Sequence, residues 1–467
     1  MTGVFLVCLG SLWHIFAKNH HHPLMYFSVF RNTKNIFKNS NPSKNSLEYR
    51  FRFIHGIRTI AMFWIIIAHT GPFIPTILLM RISYVAHHPS SILSLIRNNP
   101  FANIISNGFF AVQCFFFISG FLMTSLMIKK NTAKNLTFLK FIGLRWIRFS
   151  VPLLGSIVIL KAFFMFWKGP FFSPEINRLT FKGCHDSEWW KSLFFIGNFS
   201  KENCIRATWY LSADMQLHIV AYVLVFAMRR SSYRMIYVLS YALASISIIV
   251  PLILLLIGFP TMDFLSFFEL YDISKPLRKE VYFMYFGPYM HCGAFFYGAI
   301  IGTLLLRNEN FLKKYQRLIF NLSLIAMIGA AMYKEPSSKE LNYNELHRGL
   351  LIGFGFICWN LGLGMICYQL SLSQVPKHAK WLSRILTNSV HLPISRLSFS
   401  IYLSQFTVSI LNFSLVENIH HISLQTSVSF FVFFLSLSLS FSFSFALSLS
   451  LSFFFFSFAI FLSLSLL

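Results

Sequence analysis

Charged residues are scarce in this sequence, and acidic residues are the scarcest of all. Only 12% of its 467 residues are charged, and 15 Asp and Glu stand against 40 Lys and Arg. Soluble domains ordinarily carry about twice that share of charge. Hydrophobic residues make up 55% of the chain, and the mean hydropathy is +0.61. The shortage of charge excludes an ordinary soluble domain and predicts a protein that lies in a membrane.

Motifs for several common activities are also missing. The sequence has no phosphate-binding P-loop, no Gly-x-Gly-x-x-Gly that opens a helix, no His-Glu-x-x-His and no Gly-x-Ser-x-Gly. ATP-driven transport, zinc proteolysis and serine hydrolysis therefore lose support. The net charge of +25 could suggest a nucleic-acid partner. However, most Lys and Arg lie in short connectors between apolar runs, so no nucleic acid is expected.

Long apolar runs recur along the whole chain, each near the roughly 20 residues that a helix needs to cross a bilayer. The predicted fold is all-α, a polytopic membrane bundle of about ten transmembrane helices if an apolar N-terminal run is included. The other nine predicted spans are 54–79, 101–128, 149–167, 208–227, 235–258, 282–306, 318–333, 348–370 and 397–416.

The connectors between these runs orient the chain. If the segment before residue 54 is cytosolic, the basic connectors all lie inside and most acidic residues lie outside. This distribution follows the positive-inside rule and orients a multi-pass membrane protein, which is expected in the plasma membrane or the endoplasmic reticulum and in contact with membrane lipid. The inside connectors are then 18–52, 129–148, 229–234, 307–317 and 374–396.

Three segments flank the predicted membrane domain, which covers residues 54–416. Residues 1–17 are apolar and are expected to form a signal-anchor or the remnant of a span, and residues 18–53 form a basic cytosolic segment. Residues 427–467 consist mainly of Leu, Ser and Phe. A simple pyrimidine repeat would encode such a tail, which points to a gene-model artefact, and we assign no function to it.

Two of the seven cysteines, Cys184 and Cys204, lie in a connector predicted to be outside. An oxidising compartment would join them in a disulfide that closes a loop of about twenty residues, and two free thiols are the alternative. Asn198-Phe199-Ser200 in the same loop matches the acceptor pattern for N-glycosylation. The loop is therefore expected to hold a disulfide and a glycan.

Ionisable residues within a membrane span are costly and mark functional sites by default. The first predicted span contains Arg58 and His69, which are eleven residues apart. In a helix both would lie on one face, separated by roughly 16 Å along the axis. Arg58 near the cytosolic end suits an anionic cofactor, and His69 deeper in the span suits a base. Alternatively, Arg58 only reaches towards the interface and His69 only bonds a neighbouring helix.

Two further pairs of polar residues accompany that span. Arg145 and Arg148 are about one turn apart at the predicted cytosolic mouth of the third span, where they either grip phosphates of coenzyme A or anchor the helix. Asp214 and His218 stand at i and i+4 and can pair on one helix face. The carboxylate either orients a base or substrate or is only interfacial. No metal site is expected, because the histidine triplet at 20–22 lacks spaced partners.

Seven short motifs follow one another in an order that resembles a known family. The motifs are 27–34, His55-Gly56-Ile57-Arg58 with His69, the Phe-rich 115–122, the loop from Cys184 to Cys204 that leads into 208–216, Gly287-Pro288-Tyr289, 346–349 and 395–398. With these motifs the sequence resembles, over residues 27–416, the nose resistant to fluoxetine proteins, a metazoan branch of the acyltransferase-3 superfamily of integral membrane acyltransferases.

The resemblance implies transfer of an acyl group from a cytosolic donor to a hydroxyl of a lipid or other acceptor. Acyl-CoA would be the co-substrate, and no bound cofactor is expected. His69 would be the catalytic base with Arg58 as its partner. The donor would be held by Arg145 and Arg148, and the acceptor would be supported by Asp214 and Gln113.

Three positions depart from the family pattern. Gln113 replaces an Asp, Tyr285 replaces an Arg, and Gln405 replaces the His of a Tyr-Leu-x-His motif. A glutamine keeps hydrogen bonding but cannot carry charge or relay a proton. Two functions therefore stay open. Arg58 and His69 favour a membrane acyltransferase of groups other than aminoacyl groups, whereas the replacements favour a lipid or xenobiotic transport protein that retains the fold without catalysis.

Overall fold

The computed structural model describes sixteen segments of the chain, and every regular element within them is helical. The predicted tail at 427–467 lies outside the described residues. The described segments are 2–16, 22, 24–25, 28–39, 42–43, 46–69, 104, 107–129, 137–164, 184, 187–200, 204–227, 233–256, 285–307, 313–332 and 345–414.

Fourteen α-helices lie within these segments, and nine of them correspond one to one to the nine predicted spans. The all-α prediction is therefore confirmed, and the apolar N-terminal run forms the first helix. The helices are α1 (Thr2–Phe16), α2 (Val29–Phe37), α3 (Leu47–Arg50), α4 (Phe53–Ala68), α5 (Phe109–Lys129), α6 (Phe138–Phe164), α7 (Trp190–Leu193), α8 (Trp209–Ala227), α9 (Tyr233–Leu256), α10 (Pro288–Arg307), α11 (Gln316–Met332), α12 (Glu345–Leu370), α13 (Lys380–Leu386) and α14 (His391–Ser414).

Several of these helices have the length and composition of membrane spans. Within the described ranges, five helical stretches are long and apolar enough to cross a bilayer. The prediction of a helical membrane protein is confirmed, and the number of about ten spans stays a prediction. The five stretches are Leu47–Ala68, Phe109–Met127, Phe138–Val158, Lys313–Met332 and Gly353–Leu370.

Helices α5 and α10 form the most extensively packed pair of the described helices. Glycines let their backbones approach closely. A Cβ atom built on Gly120 would lie 1.9 Å from the carbonyl oxygen of Phe295, and one built on Gly298 would lie 2.1 Å from that of Phe117. No larger residue fits at either place without moving a helix, as is common where membrane helices pack through small residues.

The same contact shows the relative direction of the two helices. Gly298 faces Phe117, and Gly302, one turn further along α10, faces Phe121, one turn further along α5. The two helices therefore run parallel. They are the second and sixth of the nine predicted spans, which cross the membrane in the same direction if the spans alternate. The packing agrees with the predicted alternation.

The predicted disulfide is present in the connector between α6 and α8. Cys184 and Cys204 are bonded to each other, and both are buried. They lie in a hydrophobic cluster with Leu153 and Ile157 of α6 and Leu211 of α8. The described part of the connector at the disulfide is therefore packed against the helices that the connector joins.

Asn198 of the same connector points into the protein. It is 1% exposed, and its Nδ2 donates to Oε1 of Gln216 at 3.1 Å and to the carbonyl oxygen of Phe286 at 3.3 Å. Gln216 Nε2 donates in turn to Asn198 Oδ1 at 3.0 Å. A glycan on this nitrogen would need open space around it, so the buried position does not fit the predicted glycosylation.

Candidate active site

Helix α4 positions both residues that the sequence singled out in the first span. Arg58 lies in its second turn, and His69 caps its C-terminal end with helical backbone angles (φ −78°, ψ −37°). The helix continues unbroken between them, so they share a face. Protein surrounds both side chains, yet each keeps some exposed surface. Both side chains therefore lie within the protein and are only partly exposed.

Two arginines, one aspartate and one tyrosine from two other helices converge around Arg58. Helix α6 supplies Arg145 and Arg148, and helix α8 supplies Asp214 and Tyr210. All four lie close enough to Arg58 to interact with it electrostatically. The structure therefore brings together four of the predicted site residues, Arg58, Arg145, Arg148 and Asp214, and we call them the arginine cluster.

An ion pair fixes the centre of the arginine cluster. Arg145 Nη2 donates to Asp214 Oδ2, and the Asp214 side chain is 2% exposed. His218, one turn further along α8, donates from Nδ1 to the backbone oxygen of Asp214 at 2.7 Å, with the same nitrogen 3.5 Å from Oδ1. The predicted pairing of Asp214 with His218 is therefore present. Ser119 of α5 lies beside the same carboxylate.

The arginine cluster holds more positive than negative charge. Among the described residues, three guanidinium groups share one carboxylate, which leaves a formal excess of two positive charges (three minus one). Protein surrounds Arg58, where charge without a partner of its own is costly, and an anionic ligand with several oxygens would offset that cost. Arg148 is exposed, and Arg58 and Arg145 are partly exposed, so an anion can reach them.

His69 has a close neighbour on α14. The Gln405 side chain lies next to the imidazole and is 1% exposed. Among the described residues, neither its Oε1 nor its Nε2 finds a hydrogen-bond partner of normal geometry. One turn earlier on α14, Tyr402 donates its hydroxyl to the carbonyl oxygen of Ala207 and packs against Tyr210, with ring centroids 5.8 Å apart. Helix α14 therefore connects His69 with the arginine cluster.

Gln113 belongs to a different group of residues. Its Nε2 donates to Nδ1 of His291 at 3.0 Å, and Nε2 of His291 donates to the carbonyl oxygen of Tyr285 at 2.8 Å. Phe116 and Trp209 stack on the imidazole with centroids 4.6 and 5.0 Å away. Both ring nitrogens and the Gln113 amide are used within this buried network. The network explains why Gln113 is buried, and its predicted role towards an acceptor stays a prediction.

Sequence reasoning did not assign Ser119, Tyr210 or Gln405 to the site. A signal existed for each of them, because each lies in a motif of the family resemblance: the Phe-rich segment, the end of the disulfide loop and the departure at Tyr-Leu-x-His. Their types alone carry no such signal, since none is charged. In the part of the chain that the structure describes, no three His, Cys, Asp or Glu side chains come together as metal ligands would.

Comparison with known proteins identifies the family of this chain. The acyltransferase-3 family, described as an acyltransferase domain, matches residues 51–464. The match covers most of the chain, so the chain belongs to the acyltransferase-3 family, and the resemblance noted from the motifs is confirmed.

Two proteins of Caenorhabditis elegans are among its relatives. The chain is similar to nose resistant to fluoxetine protein 6, with 28% identity over 338 residues, which cover 65% of this chain and 39% of that protein. It is also similar to regulator of hypoxia-inducible factor 1, with 24% identity over 313 residues, which cover 62% of this chain and 59% of that protein. The chain thus spans less than two thirds of either relative. No solved structure matches it.

Proposed function

We propose that this protein is a membrane acyltransferase that moves an acyl group from acyl-CoA, bound from the cytosolic side, to a hydroxyl of a lipid or another acceptor. Family membership supports the class of reaction. The observation that carries the donor assignment is the convergence of Arg58, Arg145 and Arg148 on the single carboxylate of Asp214.

Acyl-CoA supplies the kind of anion that the arginine cluster needs. Its phosphate groups offer several oxygens to guanidinium groups, which bind them in a two-point geometry. Asp214 holds Arg145 in place, and Arg148 and Arg58 keep exposed surface towards which a phosphate can move. The separation of roughly 16 Å between Arg58 and His69 along α4 leaves room for the extended arm between the phosphates and the thioester.

His69 acts as the general base in this proposal. A ring nitrogen takes the proton of the acceptor hydroxyl while the hydroxyl oxygen attacks the thioester carbonyl. The new C–O bond forms, the C–S bond breaks, and the departing thiolate takes the proton from the imidazole and leaves as the coenzyme A thiol. No electrons are exchanged, and acyl-CoA is the only co-substrate required.

Thiol release from acyl-CoA by the purified full chain in lipid nanodiscs tests the proposal, with membrane lipid as acceptor. His69→Ala should lower the rate by about 10²–10⁴-fold, the usual contribution of a positioned base. His378→Ala is the matched control, because His378 lies in the connector after α12, where its Nε2 contacts Gln369 Oε1 at 2.9 Å. Equal thiol release by wild type and His69→Ala would rule out the catalytic role.

A transport or uptake protein with the same fold is the second candidate function. The position of Gln405 favours it, because the residue beside His69 carries no charge and cannot relay a proton. The region around Arg58 and His69 would then bind an acidic lipid or xenobiotic without transferring a group. Binding of a fatty acyl-CoA that is lost in Arg58→Gln, together with no thiol release by any variant, is the result expected of this function.

A further inference from the structure

Helix α2 precedes the nine long helices and has two contrasting apolar faces. Ile36 is 9% exposed and lies on the face that packs against α4 and α14. Phe30 and Phe37, seven residues apart, fall within about 20° of each other and about 110° from Ile36. They are 55% and 53% exposed. Phe30 also contacts the His14 ring of α1, with ring centroids 6.0 Å apart. The second face is therefore apolar and about half exposed.

Basic side chains border this second face. On the helix, Lys34 lies about 50° beyond the two phenylalanines, and Arg31 lies about 110° beyond them. Lys38 follows at the C-terminal end of α2. No acidic residue occurs in the chain before Glu48. Apolar residues flanked by basic ones, with no acid nearby, are typical of helices that lie in the plane of a membrane surface.

Hydrogen bonds fix the rotation of α2 against the bundle. At its N-terminal end, the Ser28 hydroxyl caps the helix and contacts Nδ1 of His14 in α1 at 2.8 Å. At its C-terminal end, Arg396 of α14 donates from Nη1 to three backbone carbonyl oxygens at 2.9, 2.6 and 2.9 Å. Those oxygens belong to Asn35, Ile36 and Lys38. The phenylalanine face is therefore held outward.

We propose that α2 is an interfacial helix that binds anionic lipid headgroups of the predicted cytosolic leaflet. Phe30 and Phe37 enter the boundary between headgroups and acyl chains, and Arg31, Lys34 and Lys38 contact lipid phosphates. A membrane is the occupant that fits this surface, because the candidate span Leu47–Ala68 begins ten residues after Phe37 and the exposed charge is entirely positive.

Spin labels on the full chain in nanodiscs of phosphatidylcholine and phosphatidylserine test the position of α2. One label replaces Phe37 (Phe37→Cys), and the matched control replaces the exposed Asn35 (Asn35→Cys), about 160° away on the helix. The Cys184–Cys204 disulfide is kept, and the other native cysteines are changed to serine: Cys8, Cys114, Cys292, Cys358 and Cys367.

Oxygen, which concentrates in lipid, should raise the spin-relaxation rate of the Phe37→Cys label. A water-soluble nickel chelate should raise that of the Asn35→Cys label. Equal access of the nickel chelate to both labels would place α2 in water. A Phe37→Cys label shielded from both agents would mean that protein covers this face. Either result would overturn the proposal.

Lipid affinity provides an independent measurement that needs no label. The detergent-solubilised full chain should bind phosphatidylserine more weakly by about fivefold for each charge removed in Arg31→Gln and Lys34→Gln. Lys34→Arg keeps the charge and should bind as the wild type does. Unchanged phosphatidylserine affinity in the Arg31→Gln/Lys34→Gln double variant would also overturn the proposal.

Discussion

Gln405 is the residue on which the question of catalysis depends most directly. It is buried beside His69, and its amide has no hydrogen bond of normal geometry among the described residues. A buried polar group in that condition costs about 1–3 kcal/mol. Its carbonyl can accept the N–H of one ring nitrogen of His69 and so leave the other nitrogen as the base, since the partner of one nitrogen sets the state of the other.

The substitution Gln405→Leu should separate stability from activity. The midpoint of thermal unfolding should stay constant or rise, because the change removes an unpaired amide from the interior. The rate of thiol release should fall about fivefold, because leucine cannot form the hydrogen bond of about 1 kcal/mol that the Gln405 carbonyl can offer to His69 during catalysis. Thermal unfolding and thiol release of the same preparation measure both quantities.

Gln369→Leu is the matched control for that experiment. Gln369 is also buried, but its amide donates to the carbonyl oxygen of Gln316 at 3.0 Å and contacts His378 at 2.9 Å. The control should therefore lower the unfolding midpoint and leave the rate per folded molecule unchanged. A lower midpoint with an unchanged rate for Gln405→Leu would contradict the role assigned to Gln405.

At the scale of elements, the contact between α5 and α10 depends on residues without side chains. The Phe-rich Ser-Gly motif around Gly120 was visible in the sequence, but its partner, the Gly298 and Gly302 turn of α10, was not. Hydrophobicity indicates that both segments are buried helices and does not indicate which pair approaches most closely. Which two helices approach most closely depends on where the small residues of one helix meet those of another.

Gly120→Ala should destabilise the protein by about 1–3 kcal/mol, because the added methyl group would lie 1.9 Å from the carbonyl oxygen of Phe295 and force the helices apart. Gly329→Ala in α11 is the matched control, since nothing lies within 4 Å of its added methyl group. The control should stabilise the helix by about 0.5–1 kcal/mol. If the unfolding midpoint changes equally in both variants, α5 and α10 are further apart than the contact between Gly120 and Phe295 requires.

At the scale of the whole molecule, two helix pairs agree with alternate crossing. Helices α5 and α10 run parallel, and so do α4 and α14. In the second pair, His55 Nδ1 lies 2.9 Å from Ser395 Oγ near the start of both helices, and His69 meets Gln405 further along both. The first and ninth predicted spans therefore cross in the same direction. Alternate crossing requires this, because an odd number of predicted spans lies between them.

The predicted orientation can be tested on intact cells. A cysteine in place of the exposed Lys377, in a connector predicted to be cytosolic, should react with a membrane-impermeant maleimide only after permeabilisation. A cysteine in place of Trp190, which is 42% exposed in the disulfide loop, should react without it. The reverse pattern would invert the orientation. Asn198 cannot serve as a marker, because it is buried.

Much of the architecture was readable before any contact was known. Each of the nine long helices corresponds to a predicted apolar run, because hydrophobicity and length are local properties that the bilayer selects directly. The Cys184–Cys204 disulfide was also predictable, since loop placement and charge asymmetry point to an oxidising side. The first predicted span, 54–79, is described as helix α4 over Phe53–Ala68, and its residues 70–79 lie outside the described residues.

The identity of the residues that meet came only from the tertiary structure. Arg145 and Asp214 are 69 positions apart, and His69 and Gln405 are 336 apart, yet each pair is in contact. The sequence placed Asn198 in an outer loop and Gln113 near an acceptor, whereas packing turned both amides into internal hydrogen bonds. Apolar patterning selects which segments enter the membrane, but the rotation and pairing of helices depend on side-chain shapes from distant parts of the chain.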